Sequence, residues 1–584
     1  MPDTPGDAVT AWLRGLMADA FAPTEARIAA LERLIAERLP STPAPDLQPE
    51  PAPIITEPEA APVVVTPTPG TSARIEITSA SGTLWPVELP EADDARLMLE
   101  VPAEIAGCTS LRLVVDHGRK QGVRWADVWL RNDISMREGG GPASYSVRVV
   151  LDGQEVLRRD VPRHHLYSGW GRMVSTGPLP ETPWPDAKTL RAAGVASYAG
   201  SVDESVLQRY AAAMADPSWD SDVFATRGLY LDMPATGGRP DIGPATEAAA
   251  AAIISRDPRA IAYLIGQAEA AGGIPWHHWD ASRCAWMRVT DWPGLWTDPR
   301  GGEPGSGTLL QPVPSAAEVG WELDSAHQPD CSFVAYLLTG RRAFLDNLQA
   351  QAAWNVVFQW SGMRGDSDML VVWGNQVRGS AWALRQIDEA AWASPEGSVE
   401  KAYFTAVSEA NWRWIMDNIP IWTEQQGEAH GWLPGEYGTP GGLSLWQQDY
   451  FASTAIAAAK RGNPLAKAFL EWAANFHLNR VAKLGHDGVG YILAVSDPET
   501  GETYRDWSRI KAETEKRGWS NGSGWEQSNG NYGAWFLSTL AGYVSLFNDA
   551  EARKLFKAIP TMGAPWTQPA DFRRDPLLSI APAE

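Results

Sequence analysis

Five times along the chain a polar, aromatic-rich turn runs into an apolar stretch, a breaker and a second apolar-periodic stretch. The polar turns are Asp241-Ile242-Gly243-Pro244-Ala245-Thr246-Glu247, Ala326-His327-Gln328-Pro329-Asp330, Gly374-Asn375-Gln376-Val377-Arg378, Trp446-Gln447-Gln448-Asp449-Tyr450 and Ser528-Asn529-Gly530-Asn531-Tyr532. The breakers are Asp257-Pro258, Thr339-Gly340, Ser394-Pro395, Gly462-Asn463-Pro464 and Asn548-Asp549. Beyond them apolar residues return: Ile261 and Leu264, Phe344 and Leu348, Tyr403 and Phe404, Phe469 and Trp472, Leu555 and Phe556. Such punctuation predicts helical hairpins. No hairpin buries its apolar face alone, so the five are expected to pack side by side. If they curl into a ring, the inner helices start on one face and their first residues converge on one cleft.

Upstream the period changes from helical to alternating. Ala73-Arg74-Ile75-Glu76-Ile77, residues 96–101, 111–115, 123–130 and 145–151 are short runs rich in Val, Leu and Ile, separated by Gly, Asp and Pro. Asp152-Gly153 suits a hairpin between Val149-Val150-Leu151 and Glu155-Val156-Leu157. A β sandwich or barrel of roughly seven to ten strands is expected over residues 71–180. Its last segment, residues 163–172, carries His164, His165, Tyr167, Trp170 and Arg172 and is placed at the seam with the helices of 181–584.

The first residues read differently again. Val9, Trp12, Leu13, Leu16 and Met17, then Ile28, Leu31, Ile35 and Leu39, recur at helical spacing, predicting docking or oligomerising helices over 1–39. Residues 40–70 are dominated by Pro, Ala, Thr and Glu, an extended tether lacking the apolar residues of a core. Met1 to Asp7 is acidic, with no basic region and no long apolar run, so neither a signal peptide nor a membrane span is expected.

Charge narrows the partners. At a net charge of -22 the chain is ill suited to nucleic acid, whose phosphates need a basic face. Cys108, Cys284 and Cys331 are scattered, without metal spacing or a disulfide framework. The 29 Trp residues, many in Gly/Pro/Asp-rich loops, fit stacking on sugar rings as well as filling space between helices.

A β part followed by helical hairpins with Trp, His, Tyr, Gln, Asn and Arg at their starts resembles the (α/α) toroid carbohydrate-active proteins, most nearly polysaccharide lyases of the rhamnogalacturonan exolyase kind. Gly237-Gly238-Arg239-Pro240-Asp241-Ile242-Gly243-Pro244, Ile274-Pro275-Trp276-His277-His278 and Ala326-His327-Gln328-Pro329-Asp330 are the stretches most similar to proteins of that architecture. The resemblance spans about residues 71–562 and implies a toroid fold and a glycan ligand. It carries over no catalytic residue.

The site is therefore argued from chemistry. Toroid lyases remove the proton α to a uronic carboxylate with a base, while a cation or amide neutralises that carboxylate. His327, His277 and Tyr437 are the acid/base candidates, with Tyr230 and Tyr450 behind them, and Arg378 is the leading neutraliser. Substrate contacts are expected from His278, Gln328, Asp330, Trp373, Asn375, Gln376, Gln447, Gln448, Asp449, Trp525 and Tyr532. A hydrolase would need a carboxyl pair drawn from Asp241, Glu247, Asp324, Asp330, Glu436 and Asp449. A metal held by His277, Asp280, His327 and Asp330 has no compact ligand motif behind it, and neither metal nor cofactor is called for. Trp292-Pro293-Gly294-Leu295-Trp296 and the Gly/Pro-rich stretch 298–314 form an insertion between the first two hairpins that could lid the cleft. Taken together, the expectation is a protein that binds and cleaves a bacterial surface polysaccharide by β-elimination, shown from a phage-like or gene-transfer particle. A glycoside hydrolase, a non-catalytic receptor and a cytoplasmic location are the alternatives.

Overall fold

The computed structural model describes residues 73–180, 182–235, 237–297, 310–364, 369–525 and 527–583. The expected N-terminal helices (1–39), the tether (40–70) and most of the proposed lid (298–309) lie outside the described residues.

Eight strands build the sandwich-like part: β1 (Arg74–Ser79), β2 (Leu84–Glu88), β3 (Asp94–Glu100), β4 (Leu111–Lys120), β5 (Val123–Asn132), β6 (Ala143–Leu151), β7 (Gln154–His164) and β8 (Ser168–Ser175). They form two antiparallel sheets, ordered β2-β1-β6-β7 and β3-β4-β5-β8. Alternation sets the core between them. Ile75 pairs with Val149 and Ile77 with Val147 in one sheet, Leu113 with Leu130 and Val115 with Val128 in the other, and all are buried in one cluster. The β6–β7 turn needs two consecutive positive φ angles, and Asp152 (48°) and Gly153 (78°) supply them.

Ten helices pair into five hairpins at the breakers: α1 (Glu247–Ser255) with α2 (Pro258–Ala270), α3 (Phe333–Thr339) with α4 (Arg342–Val357), α5 (Val377–Ala393) with α6 (Val399–Gln426), α7 (Leu445–Lys460) with α8 (Pro464–Leu484), and α9 (Tyr532–Phe547) with α10 (Ala550–Thr561). The breakers also cap. Asp257 accepts from the Arg259 N–H at 2.8 Å, Asn463 from Leu465 at 2.9 Å and Asp549 from Ala552 at 2.8 Å, each satisfying a free N–H of the following helix. Pro258 and Pro464 open α2 and α8, where a missing N–H costs nothing. Helix α5 packs on α4, α6 and α7, while α7 packs on α8 and α9; α1 and α9 both meet a turn at Pro576–Leu578. No helix among the described residues is long and apolar enough to cross a membrane.

Sandwich and helices form one compact unit. The second face of β4 and β5 explains why. Arg112, Asp116, Asp127, Trp129 and Arg131 alternate with the sandwich-core residues and would ordinarily face water, yet all are buried against the helices. Arg341, just before α4, makes a two-pronged pair with Asp127 at 2.9 and 2.8 Å and reaches Glu269 of α2 at 2.8 Å. Arg227 joins the same Glu269 at 2.7 Å, and Arg131 donates to Asn347 at 2.9 Å. Backbone closeness fits: a Cβ on Gly272 would lie 2.6 Å from the Trp129 ring.

Candidate functional site

The turn before α3 places the central histidine. Asp324 caps the short turn Ser325–His327, its Oδ1 accepting the Ala326 N–H at 2.9 Å. Its Oδ2 faces His327 Nδ1 in a short contact, and His327 Nε2 in turn meets Arg378 Nη2 from the first turn of α5. Buried Arg239, paired with Asp241 at 2.9 Å, donates to the His327 carbonyl at 2.7 Å and holds the turn from behind. Gly237 has no side chain for a reason: a Cβ there would stand 2.0 Å from Arg378 Nη1.

This chain of contacts determines the imidazole's tautomer. A guanidinium only donates, so Nε2 is the acceptor and Nδ1 carries the proton given to Asp324. The basic lone pair of His327 is therefore covered by Arg378. Burial raises the Asp324 pKa, but the bond from His327, the Ala326 N–H and the charge of Arg378 outweigh it, and the carboxyl titrates below its usual range. Burial lowers the pKa of Arg378, whose cation also lies 5.1 Å over the Trp446 ring.

The Asp324 and His327 side chains open onto a pocket of about 390 Å³ that also includes Trp296, Gln359, Trp360, Trp373, Asn375, Gln376 and Glu436. Trp296 and Trp360 stack at 5.8 Å, and Trp360 is 45% exposed. Gly374, at φ 93°, makes the turn that presents Asn375 and Gln376; Asn375 is braced by Ser380 Oγ at 2.6 Å. Segment 435–437 crosses this turn so closely that a Cβ on Gly435 would lie 2.4 Å from the Asn375 carbonyl. A second pocket of about 360 Å³ shares Gln376 and Glu436 and adds Tyr437. The Tyr437 hydroxyl bonds to that of Tyr491, which packs on Tyr532 at 5.6 Å.

Of the residues expected from the sequence, His327, Arg378, Trp373, Asn375, Gln376 and Tyr437 meet here, with Tyr532 along the aromatic row. Gln447 accepts the Arg378 N–H at 3.2 Å and supports the site from below. Others are placed elsewhere. His277 and His278 are fully buried in the seam, where desolvation pushes both down to about 3; His277 Nδ1 donates to the Ile274 carbonyl at 2.9 Å and the His278 ring packs 4.2 Å from Tyr167. Gln328 is locked among Ser325, Gln351 and Asn355, and Gln448 clasps the Leu433 backbone at 2.8 and 3.0 Å. Asp449 is buried with Arg480 at 2.8 Å and Thr539 at 2.8 Å. Asp330 is buried near Arg385, and Trp525 donates to the Met562 carbonyl at 3.3 Å and packs on His486. Tyr450 is buried under Trp446, while Tyr230 and Glu247 line a different pocket. Among the described residues no group of three or more His, Cys, Asp or Glu is arranged to hold a metal, and His277, Asp280, His327 and Asp330 do not gather.

Of Trp296, Trp360 and Tyr491, only Trp296 lies in a stretch marked from the sequence, the insertion expected to lid the cleft. A Trp next to Ser361-Gly362 just past α4, and a Tyr after Gly490, are the local signals that mark two of them. No family model, curated protein or solved structure matches this chain.

Proposed function

We propose that the protein binds an acidic polysaccharide in the Trp296–Trp360–Trp373 pocket and cleaves it by β-elimination, with the five hairpins closing as an (α/α) toroid around that cleft. The supporting observation is the chain Asp324–His327–Arg378, of which Asp324 and His327 line an aromatic pocket and Arg378 lies buried behind His327. A uronic carboxylate entering the pocket would draw the Arg378 guanidinium to itself by paired, charge-assisted hydrogen bonds. That movement uncovers His327 Nε2. The base then takes the proton α to the carboxylate, Asp324 steadies the imidazolium, and Arg378 holds the charge developing on the carboxylate. The electron pair left behind forms the new double bond as the glycosidic C–O bond breaks, and the Tyr437 hydroxyl supplies the leaving oxygen's proton. The aromatic faces of Trp296, Trp360 and Trp373 suit sugar rings on either side.

Two carboxylates, Asp324 and Glu436, line the same pocket and favour glycoside hydrolysis as the second reading. In either case, display from a phage-like or gene-transfer particle through residues 1–70 is the proposed setting. The test is incubation with a panel of polyuronates, following both reducing ends and the ultraviolet band of an unsaturated uronate. Elimination gives both signals, and His327→Ala should lower the rate by about 10²- to 10⁴-fold with binding retained. Reducing ends without the band would overturn elimination in favour of hydrolysis. Binding without either signal would leave a receptor.

A further inference from the structure

Arg385 lies two turns beyond Arg378 on α5 and lines a small cavity of about 30 Å³, where α5, α7 and α9 meet segments 194–197 and 580–581. Lys460 lines it too, and no carboxylate is among its lining residues. The hydrogen bonds of both cations go to neutral groups. Lys460 Nζ donates to the Val195 carbonyl at 3.3 Å and to Ser197 Oγ at 3.4 Å. Arg385 donates to Ser453 Oγ at 2.7 Å and to the Pro244 carbonyl at 3.4 Å, and its buried Nε has no hydrogen-bond partner. The carboxylates of this region, Asp330, Asp388 and Glu389, face Arg385 as well as Arg461, which stands 3.9 Å from Glu389, and leave Lys460 as the cation without an acid. Burial together with Arg191, Arg385 and Arg461 depresses Lys460 to about 8, and no acid offsets them.

We propose that this cavity binds a monatomic anion, chloride in ordinary media, between Lys460 Nζ, the Arg385 guanidinium and the Ser197 hydroxyl. Buried charge requires a partner, and the hydrogen-bond inventory says which groups remain to provide one. Ser197 Oγ accepts from Lys460 and keeps its own proton to donate. The hydroxyls of Ser453, Ser538 and Ser545 are already committed to the carbonyls of Tyr450, Trp535 and Ala541 at 2.6, 2.7 and 2.7 Å. Size suits a small ligand: a water needs about 10–15 Å³, so 30 Å³ has room for one small ion. The ion would tie segments 194–197 and 580–581 to three hairpins, independently of what the cleft does.

The experiment is thermal unfolding of the full chain in chloride, bromide, gluconate and sulfate at matched ionic strength, with bromide anomalous diffraction beside it. Chloride and bromide should raise Tm saturably by about 1–3 °C over gluconate, since only the folded state holds the site, whereas sulfate stabilises without saturation through its exclusion from the protein surface. A bromide peak should lie within hydrogen-bonding reach of Lys460 and Arg385. Lys460→Met should abolish the halide dependence; Ser197→Ala, a milder change, should weaken it if the first variant does not fold. Equal Tm in chloride, bromide and gluconate, or water in place of bromide in the cavity, would overturn the site.

Discussion

The seam between sandwich and helices and the cleft at the hairpin starts use the same residue types, His, Arg, Asp and Trp, to opposite ends. In the seam, Arg341 is met on both sides, by Asp127 and by Glu269, and Asp127 takes a further bond from Trp129 Nε1 at 3.0 Å. Burial there is tolerable because each charge is answered. At the cleft, the hydrogen bonds of the buried Arg378 guanidinium go to a neutral imidazole and Gln376, with no carboxylate among them, and Trp360 stands 45% exposed. Polar residues whose valences are filled hold a structure together. Those left with spare capacity beside an open pocket are positioned to meet a ligand.

The largest effect that tests this contrast is on stability. Arg341→Ala strands Asp127 and Glu269 in the seam and should cost about 3–5 kcal/mol, read as a fall in the denaturation midpoint. A loss below about 1 kcal/mol would mean that water reaches the seam and that its charges are not truly buried. Next in size is acid. Burial holds His164, His277 and His278 down to about 3 and His165 to about 4, so the folded chain keeps them neutral. The unfolded chain protonates them below about 6.5, so stability is complete above that pH and is lost as pH falls toward 3–4. A Tm that stays flat between pH 6.5 and 4 would show that these rings are hydrated. The smallest stability change belongs to the cleft. Gly237→Ala pushes on the movable end of Arg378, so Tm should shift by no more than a few degrees while polyuronate cleavage or binding falls at least about tenfold. Unchanged function in that variant would separate Arg378 from the ligand.

Breakers, caps and alternation are local signals, and they located the five hairpins and most sandwich strands from neighbouring residues alone. Asp257-Pro258 and Asn463-Pro464 act on the first turn of the helices that follow them, so no distant contact is needed to interpret them. His327, Arg378, Asn375 and Gln376 were legible for the same reason: each sits at the start of an inner element, where polar groups stand out against apolar runs. His277-His278 is equally conspicuous in the sequence, and residues 123–130 carry only the signal of a strand. Asp127 enters a dry seam through Arg341, more than two hundred positions away, and His277 through the Tyr167 carbonyl, which takes its backbone N–H at 3.0 Å.

The sequence by itself thus determined the helices of the five hairpins and most strands of the sandwich, where each hairpin turns, and which polar residues cluster at the helix starts, because these depend on spacing and caps within a few residues. Only the tertiary structure decided which histidine faces a pocket and which is walled in, that Arg378 covers His327 Nε2, and that Trp296, Trp360 and Tyr491 complete the cleft. Those outcomes depend on which surfaces meet, and a side chain's burial, charge partner and free lone pair are properties of that meeting rather than of its neighbours in sequence.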